Sequence, residues 1–180
     1  MDLLGGRLLA AVWVAGLCLS GAEAAQMPKV GDSAPLIEGK DQNGNSWKLA
    51  DVIGKKVVLL YFYPKDDTPG CTKEACGFRD QLAELKKEGV EVIGVSFDSA
   101  ESHQKFIAKY DLNFPLLADT NGKIADAYGV KMRGRNMAQR VSFLIGLDGK
   151  IVHVTDTPNP ATHLSEMKEA AAKLKPGHAS

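Results

Sequence analysis

Only three cysteines, Cys18, Cys71 and Cys76, occur in the 180-residue sequence. That is too few for a disulfide framework, so stability must come from an apolar core, which 44% hydrophobic residues can build in a single domain. Neither sign of charge is in excess: Lys plus Arg and Asp plus Glu number 22 each, which argues against a polyanionic partner such as nucleic acid. The chain lacks a Walker A loop, a GxGxxG turn and an HExxH pair, so the commonest phosphate cradles and zinc hydrolase sites are excluded. It also lacks an internal repeat, a low-complexity tract and any linker long enough to divide it.

A bilayer-length hydrophobic run is missing too. The N-terminal stretch has Arg7, then 15 uncharged residues from Leu8 to Ala22, then the small-residue pattern Ala22-Glu23-Ala24. This falls short of the roughly 20 apolar residues that span a membrane and has the anatomy of a signal peptide. The expectation is therefore cleavage after Ala24, export to a compartment such as the periplasm, and no stable membrane insertion afterwards. A lipoprotein acylated at Cys18 is disfavoured by Leu17, where a small residue is expected. The mature chain, residues 25–180, keeps 21 basic and 20 acidic residues and only Cys71 and Cys76.

Periodicities then alternate. "KKVVLLYFYP" and "VEVIGVSFD" read as strands buried on both faces. Helices are expected from about Thr68 to Glu88, with Gly89 closing the first, and over "ESHQKFIAKYD". "FPLLAD" reads as a short strand and "GKIADAYG" as a short helix. "RVSFLIGLDGKIVHV" reads as a hairpin turning at Asp148-Gly149. A final helix begins with Asn159 as cap and Pro160 at its first position. Residues Lys29 to Val52 read as an irregular lead-in with a possible hairpin at Asn43-Gly44. The sum is an α/β domain with a central mixed sheet covered on both faces.

Thr68-Pro69-Gly70-Cys71 looks like a helix start, with Thr68 as N-cap. Cys71 then lies in the first turn, where unpaired N–H groups and the helix dipole favour a thiolate over a thiol. Ala75, Phe78, Leu82 and Leu85 form an apolar stripe that Cys71 continues backwards, whereas Cys76 lies about 140° round the helix. A bond between successive turns of one helix would close a very small loop and stabilise little. The pair could still be a metal site or a redox-active thiol pair.

The segment "YPKDDTPGCTKEACGFRD" resembles the active-site signature of the peroxiredoxins, in the bacterioferritin comigratory protein or peroxiredoxin Q subfamily. The resemblance runs from about Lys29 to Lys173. It implies a thioredoxin-like fold and a thiol-dependent peroxidase without cofactor or metal, with Cys71 peroxidatic and Cys76 resolving through an intramolecular disulfide. Pro64 and Thr68 match the signature, and Arg140 matches the arginine before the Phe-Leu-Ile strand. Glu74, one turn beyond Cys71, is placed to orient Arg140. The implied partners are a hydroperoxide substrate and a thioredoxin-like protein reductant, and a monomer is the default. Cys71 and Cys76 are expected in one continuous helix while reduced.

Two rivals use the same residues. An exported thioredoxin-fold copper-binding protein would employ the cysteines with His153, but a five-residue spacing turns the sulfurs apart. A protein thiol–disulfide exchanger would need the CxxC that the chain lacks. Lys131, Arg133, Arg135 and Arg140 form a basic group that reads as a solvated loop, partner docking being the alternative. His103, His153, His163 and His178 are expected at surface or hairpin positions, without a role.

Overall fold

The structure, a computed structural model, describes residues 25–174. The segment read as a signal peptide, with Cys18, and His178 lie outside the described residues. The lead-in holds more order than expected: strands β1 (Glu38–Lys40) and β2 (Ser46–Lys48) form an antiparallel hairpin, and α1 (Leu49–Val52) follows. The hairpin turns where Asp41 Oδ1 accepts the Asn43 and Asn45 N–H groups and Gly44 takes φ +80°, a left-handed conformation that suits glycine.

Next come β3 (Val57–Phe62), α2 (Pro69–Lys87), β4 (Val90–Ser96), α3 (Ala100–Tyr110) and β5 (Leu116–Ala118). They are followed by α4 (Lys123–Ala127), β6 (Val141–Ile145), β7 (Ile151–Asp156) and α5 (Pro160–Lys173). Five strands form a mixed sheet in the order β5-β4-β3-β6-β7, with β3, β4 and β5 parallel and β6 and β7 antiparallel to their neighbours. The parallel β3–β4 pair requires a crossover, which α2 supplies. As expected, α5 is capped by Asn159, whose Oδ1 accepts the Ala161 N–H at 3.1 Å, with Pro160 at its first position.

Alternate residues of β3 serve two cores, which is why every residue of that strand is apolar and buried. Leu59 and Tyr61 face α2, α3 and α5 through Phe78, Leu82, Phe106 and Met167, whereas Leu60 and Phe62 meet Leu49, Tyr128 and Phe143. Helices α2 and α5 approach very closely: a Cβ on Gly77 would lie 2.2 Å from Leu164 Cδ1. Two histidines depart from the sequence reading. His103 and His163 are fully buried, each tied into polar partners that the local sequence does not advertise.

Candidate active site

The sheet fixes where the chemistry-bearing residues meet. Cys71 is the third residue of α2, just beyond the carboxyl end of the central strand, where open α/β sheets place their sites. Strand β6 runs antiparallel to β3 with Phe62 opposite Val141, so the preceding residue, Arg140, stands beside the exit of β3.

The connecting loop is held from outside α2. Asp66 is buried and accepts from Tyr63 Oη at 2.7 Å, Ser102 Oγ at 2.7 Å and His103 Nδ1 at 2.9 Å. Burial pushes its carboxyl up, but bonds to His103, Tyr63 and Ser102 outweigh this and hold it below the usual carboxylate range. Asp67 sits in the left-handed region at φ +56°, with its carboxylate on Lys109 Nζ at 2.7 Å. Sequence reasoning missed this pair and its partners. The only signal was two adjacent acidic residues between a buried strand and a helix start.

Thr68 departs from its expected cap. Its backbone is extended, as an N-cap requires, but its hydroxyl donates to the Lys65 carbonyl at 3.0 Å and bonds no first-turn N–H. Pro64 lies half-buried at the start of the same loop.

The centre of the site is a three-residue chain. Arg140 Nη2 donates to Cys71 Sγ at 3.2 Å, and Arg140 Nη1 donates to Glu74 Oε2. Cys71 is buried and Glu74 is completely so. Burial lifts the Glu74 carboxyl to about 7, with the Arg140 guanidinium pulling the other way. Burial opposes the charge on Arg140, but Glu74 and the Cys71 sulfur more than offset it and hold the guanidinium above its ordinary range. The arrangement stabilises negative charge on the sulfur, or on an oxygen beside it, with a fixed cation.

Gly70 makes room for this cation: a Cβ there would stand 3.1 Å from Arg140 Nη2. Gly70→Ala should therefore displace the guanidinium by a few tenths of an ångström while slightly favouring the helix. The rate of thiol oxidation by hydrogen peroxide should drop by roughly tenfold with the melting midpoint unchanged or raised. A wild-type rate measured by stopped flow would show that Arg140 yields at no cost.

Cys76 is half-buried in the same unbroken helix, and both cysteines are free, as expected for the reduced chain. Of the basic group, only Arg140 enters the site. Lys131 pairs with Asp126 at 3.1 Å, and Arg133 and Arg135 are exposed. His153 Nε2 lies 3.2 Å from Glu166 Oε2, and among the described residues no three His, Cys, Asp or Glu side chains converge as a metal site.

Comparison with known proteins agrees with this geometry. The AhpC/TSA family matches residues 30–154. Peroxiredoxin Bcp of Escherichia coli K12 is 44% identical over 153 residues, covering 79% of this chain and 97% of the relative. The crystal structure of peroxidoxin BcpB from Mycobacterium tuberculosis has a TM-score of 0.77 at 32% identity, over 82% of this chain and 99% of that one. A Xanthomonas campestris bacterioferritin comigratory protein, whose structures concern its alkyl peroxide reduction activity, gives 0.71 at 30% identity, over 81% and 96%. Sequence and fold are thus shared over most of the chain, and the chain belongs to the AhpC/TSA family as a peroxiredoxin, a thiol peroxidase of the bacterioferritin comigratory protein type.

Proposed function

We propose that Cys71 is the peroxidatic nucleophile and Cys76 its resolving partner. The observation that carries this reading is the single guanidinium bonded both to the Cys71 sulfur and to buried Glu74. The Cys71 thiolate attacks the terminal oxygen of a hydroperoxide ROOH. The O–O bond breaks, the sulfur becomes a sulfenic acid, and RO⁻ leaves to take a proton from solvent. Arg140 and the first-turn N–H groups of Gly70 and Cys71 face the charge that develops on the leaving oxygen. Thr68, its hydroxyl proton committed to Lys65, offers an acceptor oxygen to the hydroperoxide O–H, and Pro64 covers the sulfur from bulk water. Cys76 then displaces water from the sulfenic acid to form an intramolecular disulfide, which a thioredoxin-like dithiol reduces by exchange.

Hydrogen peroxide and organic hydroperoxides both fit this chemistry, the latter in line with the alkyl peroxide activity named for the Xanthomonas protein. With both thiols in one chain, a monomer can complete the cycle. The basic, apolar and small-residue order of residues 1–24 supports export to the periplasm, where the reductant must be fed across the membrane. Among the described residues, no helix is long and apolar enough to cross a membrane.

Intact-mass and thiol analysis of protein from its native host tests the reading. The chain should begin near Ala25 and hold two thiols when reduced. One equivalent of hydrogen peroxide should remove both thiols and two hydrogens. Retention of Met1 would overturn cleavage and revive a membrane-anchored form, and a stable gain of one oxygen with Cys76 still free would overturn resolution by Cys76.

A further inference from the structure

Glu74 is engaged through one oxygen only. Its Oε2 accepts from Arg140, but its fully buried Oε1 has no hydrogen-bond partner among the described residues. Across the α2–α5 contact it faces His163 Nδ1, at 3.5 Å. An oxygen buried this deeply without a partner is costly, and native structures rarely leave one so.

The proton inventory of His163 can be read from its neighbours. Its Nε2 lies 2.8 Å from the Thr157 carbonyl oxygen, which only accepts, so Nε2 carries the hydrogen. Its Nδ1 lies 2.7 Å from Ser142 Oγ. Burial keeps the imidazole below its ordinary range, so near neutrality the ring is uncharged and Nδ1 is an unprotonated acceptor whose one lone pair faces the Ser142 hydroxyl. Oε1 and Nδ1 then face each other with no proton between them, and a donor on Oε1 can take the Nδ1 lone pair only in competition with Ser142. A carboxyl proton on Oε1 supplies that donor and makes a hydrogen bond once the gap closes by about half an ångström.

We propose that His163 is a positioning residue of the peroxidase: its Nδ1 accepts the carboxyl proton of Glu74 Oε1, and so sets the charge that Glu74 presents to Arg140 and, through Arg140, to the Cys71 sulfur. The proposal rests on Cys71 being the reacting thiol. With the proton in place, Arg140 faces a neutral carboxyl and is held loosely. With the proton lost, the carboxylate grips Arg140 by a charge-assisted bond. The other groups facing the pair are Arg140 and Ser142 at β6, Tyr61 of β3 and Cys71 of α2, with Asp156 of β7 and Glu166 of α5 acting on His163. Tyr61 stays un-ionised in its buried site, so it does not compete for the proton near neutrality.

The test is a carbon-13 NMR titration of side-chain carboxyls in the reduced full-length protein, with the Glu74 resonance identified by its loss in Glu74→Gln. One carboxyl should ionise near pH 7, as its burial dictates. His163→Gln removes the acceptor ring and brings an amide that donates to Oε1, so the midpoint should fall by at least about half a unit. Ser142→Ala removes the competing donor on Nδ1, frees it for the carboxyl proton, and should raise the midpoint. The second variant keeps the test decisive if the first fails to fold. The rate of Cys71 oxidation by hydrogen peroxide, measured across pH, should move its acid limb in the same two directions. A role in packing alone would change the melting temperature of both variants and leave the midpoint in place, and that result would overturn the proposal. So would a wild-type Glu74 that does not titrate between about pH 5 and pH 9. The carboxyl titration needs no peroxide, so an unreactive Cys71 would refute the functional reading separately.

Discussion

Cys71→Ser should abolish peroxide consumption. The hydroxyl would occupy the place of the sulfur in the first turn of α2 and could still accept from Arg140 Nη2, so the fold and the site geometry should survive. What disappears is the nucleophile: an alcohol is not ionised near neutrality, and alkoxide oxygen lacks the polarisable sulfur that a sulfenic acid requires. The second-order rate with hydrogen peroxide should fall by roughly a thousandfold or more, down to the background of Cys76. Cys76→Ser should behave differently. It should keep the first oxidation, give a sulfenic acid that thiol-specific probes trap, and stop multiple turnover with a thioredoxin-like donor. Peroxidase turnover persisting in Cys71→Ser would sink the assignment, however well the variant folds.

The second large effect is conformational. Five residues of ideal helix rise about 7.5 Å and turn the two Cβ atoms about 140° apart. A disulfide needs Cα atoms within about 6.8 Å and converging Cβ vectors. In the continuous helix Pro69–Lys87 the cysteines therefore cannot bond, so the proposed Cys71–Cys76 disulfide requires the start of α2 to melt. The structure sets the extent. Phe78 is buried against Tyr61 with ring centroids 5.1 Å apart, and at Gly77 the helix meets Leu164, so melting should stop there. More is lost than a frayed end, because Cys71 and the Glu74–Arg140 pair leave their burial. Part of that cost returns as Glu74 escapes the site that lifts its carboxyl to about 7. Amide hydrogen exchange reads the outcome. On oxidation, residues Cys71–Phe78 should lose protection by on the order of a hundredfold or more, while β4 retains its own. Equal protection in the two states would rule unwinding out, and the oxidised protein should be inactive until reduced.

The local features of the sequence were the legible ones. A short apolar run with no polar alternation, rich in β-branched and aromatic residues, reads as a strand covered on both sides, and Val57–Phe62 is that strand. Proline at the first helical position and a left-handed Gly89 bracket α2 as expected. The link from Cys71 to Arg140, 69 residues away, follows from sheet register, which no local periodicity encodes. It was reachable only through the family resemblance. The histidines were misread for the same reason. In "SHQ" and "THL" no local pattern marks the histidine as buried, and the partners of His103 and His163 arrive from Asp66, Leu117, Ser142 and Thr157 on other elements. Thr68 shows the limit of a cap motif. It has the right residue type and backbone, but a nearer carbonyl takes its hydroxyl.

The double pinning of the loop before α2 bears on how the enzyme recovers. Asp66 and Asp67 fasten it to α3, and the Asp66 N–H bonds Asp98 beyond β4, so none of these ties involves the turns of α2 that the proposed disulfide would melt. The helix beyond Gly77 would stay packed at the other end. On reduction of the proposed disulfide, the intervening residues would sit between two fixed ends and re-form helix by extending an existing one. Starting a helix afresh carries a penalty of about a thousandfold in its nucleation constant, whereas adding residues to an existing end takes about nanoseconds each. On that reading reassembly would be far faster than thiol–disulfide exchange with a partner protein, and the tempo of the cycle would be left to the donor.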